Sequence, residues 1–155
     1  MRKRSSYRPK GLILDTVQHV LGGFQLVKDK AGVAVTLKIK NHDALSNMVR
    51  GSGTRYDIDV LIAAMNVAEA LAITADMGSQ YRAEITAAQD ALVSMGRRGL
   101  SKDSRFLFTG PELTAMNLGM EIHDAQLDAC TIGQMERALN FVEREIRARR
   151  ARAIA

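Results

Sequence analysis

The stretch that decides the fold is DIDVLIAAMNVAEALAITADM, Asp57 to Met77. Between Val60 and Ala75 its only residues that are not apolar are Asn66, Glu69 and Thr74. Ile58, Leu61, Met65, Ala68, Ala72 and Ala75 recur at helical spacing, and Ile62, Val67, Leu71 and Ile73 widen the stripe around most of the cylinder. A helix that is apolar on most sides is one that other helices surround, so the spacing predicts a central helix. It falls short of a membrane span, which needs about 20 strongly apolar residues, because it is rich in alanine and carries Glu69 near its middle.

The chain after this stretch repeats the theme. Thr54 with Asp57 three residues on resembles a capping box that starts the central helix, and Gly78 stops it. A second helix is expected over about Gln80 to Arg97, with Tyr81, Ile85, Ala88, Leu92 and Met95 on one face. Gly96 and Gly99 bracket its end, and Arg97-Arg98 suit a helix C-terminus. The connection at 78–79 is short, which makes the two helices antiparallel neighbours. Thr109, Pro111 and Glu112 start a third helix running to about Cys130. Its inward stripe is Leu113, Met116, Met120, His123, Leu127 and Cys130. Thr131 and Gln134 form another capping box and start the last helix almost without a loop. There Ile132, Met135, Leu139, Val142 and Ile146 form the inward stripe, and beyond Ile146 the helix frays into a basic end.

The N-terminal third is less regular. Residues 1–10 lack an apolar pattern and read as a disordered basic arm. Asp15 caps a short helix to about Gly22, with Val17, Val20 and Leu21 inward, and Phe24, Leu26 and Val27 pack back on the body. Val33, Val35, Leu37 and Ile39 alternate with Ala34, Thr36, Lys38 and Lys40, a period of two that reads as a strand. A helix through Leu37 and Leu45 is the alternative. Asn41 then caps a helix through Arg50, with Leu45 and Met48 inward, and Gly51-Ser52-Gly53 closes it. Leu100 to Phe108 reads as a basic loop whose Phe106-Leu107-Phe108 could add a strand beside Val33 to Ile39. The expected fold is mainly α: an antiparallel bundle of four long helices, with one or two short N-terminal helices and a minor β pair of 33–39 with 106–108. Residues 11–150 form a single helical domain, and 147–155 are its basic C-terminal end.

Bulk properties narrow the function classes. A chain of 155 residues suits one domain with a core of its own. Aromatic residues make up only 5% and Trp is absent, which argues against a stacking platform for single-stranded nucleic acid. The lone Cys130 rules out an internal disulfide and suits a reducing cytoplasm. The basic start leads into a stretch broken by Asp15, unlike a signal segment. Net charge is +5, carried unevenly: residues 1–10 hold five basic side chains and 147–155 hold four, with no acid in either. The 13 basic and 17 acidic side chains left over put residues 11–146 at −4.

Chemistry-bearing residues are sparse. Di-iron bundles use Glu-x-x-His spacing, but the step from Glu121 to His123 is two, which points the side chains about 200° apart. His123 is therefore expected as a core histidine hydrogen-bonded to a neighbour, and Asn117, Glu121, Asp124 and Asp128 as a solvated acidic face. Glu69 sits either on an exposed strip with Asn66 or in a polar contact inside the bundle, with His123 or an arginine. Cys130 has no paired histidine, no serine elbow is present, and GSGT at 51–54 is too short for a phosphate fingerprint. No catalytic, metal or cofactor site is expected.

The ends are the functional candidates. RKRSSYRPK is a basic arm with one aromatic, suited to reaching phosphates without reading sequence, and RARRAR extends a helix. Arg2, Lys3, Arg4, Arg8, Lys10, Arg147, Arg149, Arg150 and Arg152 would contact DNA or RNA; the alternative is that they are solvated tails aiding solubility. RKRSSYRPK, IKNHDAL (Ile39–Leu45), TGPEL (Thr109–Leu113) and EIHDAQLDA (Glu121–Ala129) together resemble small proteins encoded by bacteriophages and prophages. That resemblance implies expression in the cytoplasm of a bacterial host and brings no site residues with it. The expected function is a non-catalytic, self-associating phage-type helical protein that contacts nucleic acid non-specifically and no membrane. The alternative is an inhibitor or adaptor of a bacterial host protein, of anti-defence type, using the acidic face of Glu121, Asp124 and Asp128 or the basic tails. A metal or hydrolytic site built on His123 is a third and weaker possibility.

Overall fold

The structure, a computed structural model, describes Leu26, residues 32–101, residues 105–148 and Arg150. Five helices stand among the described residues: α1 Val33–Val49, α2 Arg55–Thr74, α3 Arg82–Ser101, α4 Gly110–Ala129 and α5 Ile132–Arg147, with a 3-10 turn at Ser79–Tyr81 before α3. No strand occurs among them, and the chain is mainly helical. The expected helix at 15–22 and the arm at 1–10 lie outside the described residues.

Thr54 starts α2 as the capping box predicts. Its hydroxyl accepts from the Asp57 N–H, and the Asp57 carboxylate accepts the Thr54 N–H at 2.8 Å. Burial pushes the Asp57 carboxyl up, but donors from Thr54 and Asn47 outweigh it and hold the group below its usual value. From that start α2 runs through the middle of the molecule and touches each of the other four helices. Ile58, Leu61, Met65, Ala68, Leu71 and Ala72 are all buried, as the apolar cover required. Each large apolar side chain buried there is worth about 1.5–3 kcal/mol. The helix ends at Thr74, earlier than Gly78, because Asp76 and Gly78 both take the left-handed conformation and turn the chain.

The segment 33–39 is a helix, which corrects the strand reading. Its alternating β-branched residues are mostly on the outside: Val35 is 59% and Ile39 56% exposed. The face that packs is Ala34, Asn41, Ala44, Leu45 and Met48, spaced for a helix. Phe106-Leu107-Phe108 is an irregular segment, so it offers no strand for 33–39 to pair with. A helix satisfies its own backbone, whereas a lone strand does not. Asn41, expected as an N-cap, is consequently buried in mid-helix, and Gly32 opens α1. Gly51 closes it: Ser52 N–H returns to the Asn47 carbonyl and Gly51 N–H to that of Met48, the Schellman pairing.

Two further expectations are corrected. Gly96 and Gly99 do not end α3, which continues to Ser101; both are buried within it. A Cβ at Gly99 would lie 2.7 Å from Phe106 Cε1 and closer still to Cδ1, so this glycine makes room for the ring. The second correction concerns α5, whose stripe of Ile132, Met135, Leu139, Val142 and Ile146 does not all face inward. Only Ala138 is fully buried, while Leu139 is 50% and Ile146 53% exposed. α5 rests chiefly on α2, so one contact line suffices and the far edge of the stripe is left open.

α3 and α4 make the most extensive helix pair. Arg98 clamps their shared end, donating to both oxygens of Glu112 at 3.0 and 2.6 Å and to the Leu107 carbonyl at 2.8 Å. The same Glu112 closes the α4 capping box with Thr109. In mid-helix the close approach rests on Gly119, where a Cβ would sit 2.6 Å from Ala88 Cβ and 2.9 Å from Met65 Sδ. Gly119→Ala is therefore expected to destabilise the fold by about 1–3 kcal/mol through overpacking, despite the better helix propensity of alanine. Gly110→Ala, where a Cβ meets nothing within 4 Å, is expected to be neutral or mildly stabilising. Urea unfolding of the two variants checks this; equal midpoints would contradict it.

Candidate nucleic-acid interface

Of the nine cations expected at the ends, Arg2, Lys3, Arg4, Arg8, Lys10, Arg149 and Arg152 lie outside the described residues. Arg147 and Arg150 are described, and both are exposed. Each already holds a glutamate. Arg147 Nη2 lies 2.5 Å from Glu143 Oε1 one turn back, and Arg150 grips Glu145 with contacts of 2.7 and 2.9 Å. The Arg150 hydrogen bond keeps the Glu145 carboxyl below its usual value, and Glu145 in turn raises the guanidinium. Exposed pairs of this kind are worth little and exchange readily for a phosphate.

The sequence reading missed two arginines. Arg137 and Arg144 share a strip of α5 with Asn140 and Arg147, at steps of 3, 4 and 3, turned away from Ala138. No carboxylate interrupts that strip, since Glu136 and Glu143 lie to one side of it. Arg137 and Arg144 are exposed and make no ion pair among the described residues. Together with Thr74 at the end of α2 and Glu143, these four line a shallow basin of about 470 Å³. Arg144 and Arg147 also occupy the last turn of α5, where the helix dipole favours positive charge. The spacing was legible, but which face of α5 meets α2 was not.

The acidic face of α4 is largely solvated as expected, with Asn117, Glu121 and Asp128 exposed and Asp124 partly so, and it also reaches α1. Asp128 lies 2.5 Å from Lys38 Nζ, and Asp124 lies 2.7 Å from His42 Nε2. Two of the three carboxylates thus hold α1 against α4, and Glu121 remains exposed. Glu69 and Asn66 are half-buried; Glu69 accepts from Gln89 Nε2 at 2.9 Å, and pairs with neither His123 nor an arginine. Cys130 is fully buried at the α4–α5 junction, and burial pushes its thiol up, away from nucleophilic use. Leu26 bridges to Thr131 beside it, packing back on the body as expected.

His123 is a core histidine, 3% exposed, with Nδ1 3.2 Å from Gln126 Oε1. Gln126 gives its amide N–H groups to the carbonyls of Ala68 and Met77, both at 2.9 Å. Its oxygen must therefore accept, which places the imidazole proton on Nδ1. Gln126 carried no signal in the sequence, being a polar residue beside an apolar stripe. Among the described residues no group of three or more His, Cys, Asp or Glu could hold a metal ion. Nor is any described helix long and apolar enough to cross a membrane. Compared with known protein families, with curated proteins and with solved structures, the chain shows no significant match.

Burial holds the His123 pKa below its ordinary value; the Gln126 hydrogen bond and the nearby Asp124 oppose this without reversing it. An unfolded chain thus binds this proton more readily than the folded one. Stability is expected to be full above about pH 6.5 and to fall as pH drops from there, by up to about 1.4 kcal/mol per unit. His123→Gln, which keeps a donor for Gln126 but does not titrate, should flatten the slope between pH 7.5 and 5. Urea titrations across that range read it directly, and an unchanged slope would contradict the assignment.

Proposed function

We propose that this is a non-catalytic, self-associating helical protein of phage type that holds nucleic acid through its phosphates, without reading base sequence. The reading rests on one observation: Arg137, Asn140, Arg144 and Arg147 form a basic strip on the outer face of α5, with Glu143 alone at its edge, paired to Arg147. That strip runs toward a C-terminal sequence carrying Arg149, Arg150 and Arg152. Guanidinium groups on a helix face meet phosphate oxygens with strong, charge-assisted hydrogen bonds, and such contacts position a protein rather than specify a sequence. The basic arm holding Arg2, Lys3, Arg4, Arg8 and Lys10 would add further phosphate contacts, and the half-exposed Leu139 and Ile146 give α5 an apolar edge for self-association. The bacterial cytoplasm is the compartment this role implies.

The alternative is a protein that binds and inhibits a bacterial host factor. Mimicry by the acidic face of α4 is the weaker version, since α1 occupies Asp124 and Asp128. The outer side of α1 favours another version: Val35, Ile39 and Val49 are exposed along one stripe, and Tyr56 is exposed at the start of α2.

Binding of a short DNA duplex across a salt series separates the two. Full-length protein should bind all sequences alike, with affinity falling steeply as salt rises. Arg137→Ala with Arg144→Ala should lower the log–log salt slope by about two, one for each lost phosphate contact. A flat salt response, or a slope unchanged in the double variant, would sink the nucleic-acid reading. Absence of binding at low salt would do so as well, and would leave the host-protein reading.

A further inference from the structure

α3 and α5 both lean on α2 but scarcely meet each other, and a cleft of about 440 Å³ opens between the three helices. That volume lies within the roughly 300–1,000 Å³ of small-molecule sites. Ile73, Val93, Phe141 and Ile146 are among its accessible walls, with the fully buried Met65 and Leu92 beneath them. Such a lining favours a hydrocarbon body over a sugar or a phosphate.

Two carboxylates interrupt it, Glu69 and Glu145. Glu69 faces the cleft half-buried, on the most apolar of the described helices, and its only described partner is the neutral Gln89 amide at 2.9 Å. That hydrogen bond fixes the carboxylate without neutralising it. The other charges lining the cleft, Glu145 and Arg150, satisfy each other through two contacts of 2.7 and 2.9 Å. The uncompensated charge of the cleft is therefore a single negative one, set among apolar side chains where an ion pair is stronger than in open water.

We propose that this cleft binds a small organic cation with an apolar body, a hydrophobic amine whose ammonium pairs with Glu69 while its hydrocarbon part packs on Ile73, Val93 and Phe141. The site lies on another face of α5 from the Arg137 to Arg147 strip, and its charge balance holds while Arg150 stays with Glu145 rather than with a phosphate. Gln89 is the positioning residue, holding the carboxylate toward the incoming ammonium.

Amide shift perturbation in the full-length protein tests this, using 4-phenylbutylamine and its neutral analogue 4-phenylbutanol as probes. The amine should shift residues 62–73, 86–93 and 141–146, and bind about tenfold tighter than the alcohol, the worth of one hydrogen bond to a charged group. Glu69→Gln should bring the amine down to the level of the alcohol. Ile73→Trp, made at a position already 42% exposed and so harmless to the core, should fill the cleft and abolish both. Equal affinity for the two probes, or a preference that survives Glu69→Gln, would overturn the proposal. So would shifts outside the cleft, or no shifts at all because another stretch of chain or a second copy covers it.

Discussion

The structure depends on how closely four helices can approach α2. A helix packed by four others has little solvated face on which to leave bulk or charge, so its neighbours must fit within the width its own side chains allow. Ala64, Ala68, Ala70 and Ala72 keep that width small, and Gly119 lets α4 come against Met65 and Ala88. Methionine fills the irregular gaps that remain: Met48, Met65, Met95, Met116 and Met120 are all among the largest fully buried side chains. Polar backbone at the two ends of α2 is met differently. Thr54 and Asp57 close the first turn from within, whereas the Gln126 side chain from α4 ties the carbonyl of Ala68, inside the helix, to that of Met77, just past its end. Burial keeps His123 neutral beside that amide, whose oxygen meets the ring at Nδ1.

Much of this architecture was legible because it is local. Three capping boxes, at Thr54, Thr109 and Thr131, stand in the structure where the sequence places them. The α4 stripe holds at Met116, Met120, His123, Leu127 and Cys130. What failed was inference about partners. The alternation of Val33, Val35, Leu37 and Ile39 resembles a half-buried strand, yet the residues α1 buries include Ala34, Asn41 and Ala44, which carry little hydrophobic signal. Gly96 and Gly99 look like helix stops to anyone who cannot see Phe106 against the second of them. The α5 stripe has faultless spacing, but spacing does not say how many neighbours a helix has. Of the candidate interface, Arg147 and Arg150 were legible as members of a basic run. Arg137 and Arg144 were not, because Glu136, Glu143 and Glu145 mask the strip until the buried face of α5 is known.

Charge is sorted accordingly. On the α1–α4 side, Lys38 and His42 meet Asp128 and Asp124, so these acids bridge two helices. Arg98 and Glu112 do the same at the α3–α4 end. α5, attached chiefly to a single neighbour, carries its arginines outward and keeps them in water. A surface helix with one packed side and a cationic outer face is well placed to engage an anionic partner without disturbing the core.

The central structural claim is that α2 is the last element to open and α5 among the first. Native-state amide hydrogen exchange of the full chain reads this residue by residue. Amides of Leu61 to Ala72 should exchange only through global unfolding, while those of α5 exchange through a partial opening of lower free energy that leaves α2 protected. Protection in α5 equal to that in α2, or loss of α2 protection before that of the outer helices, would contradict an α2-centred fold.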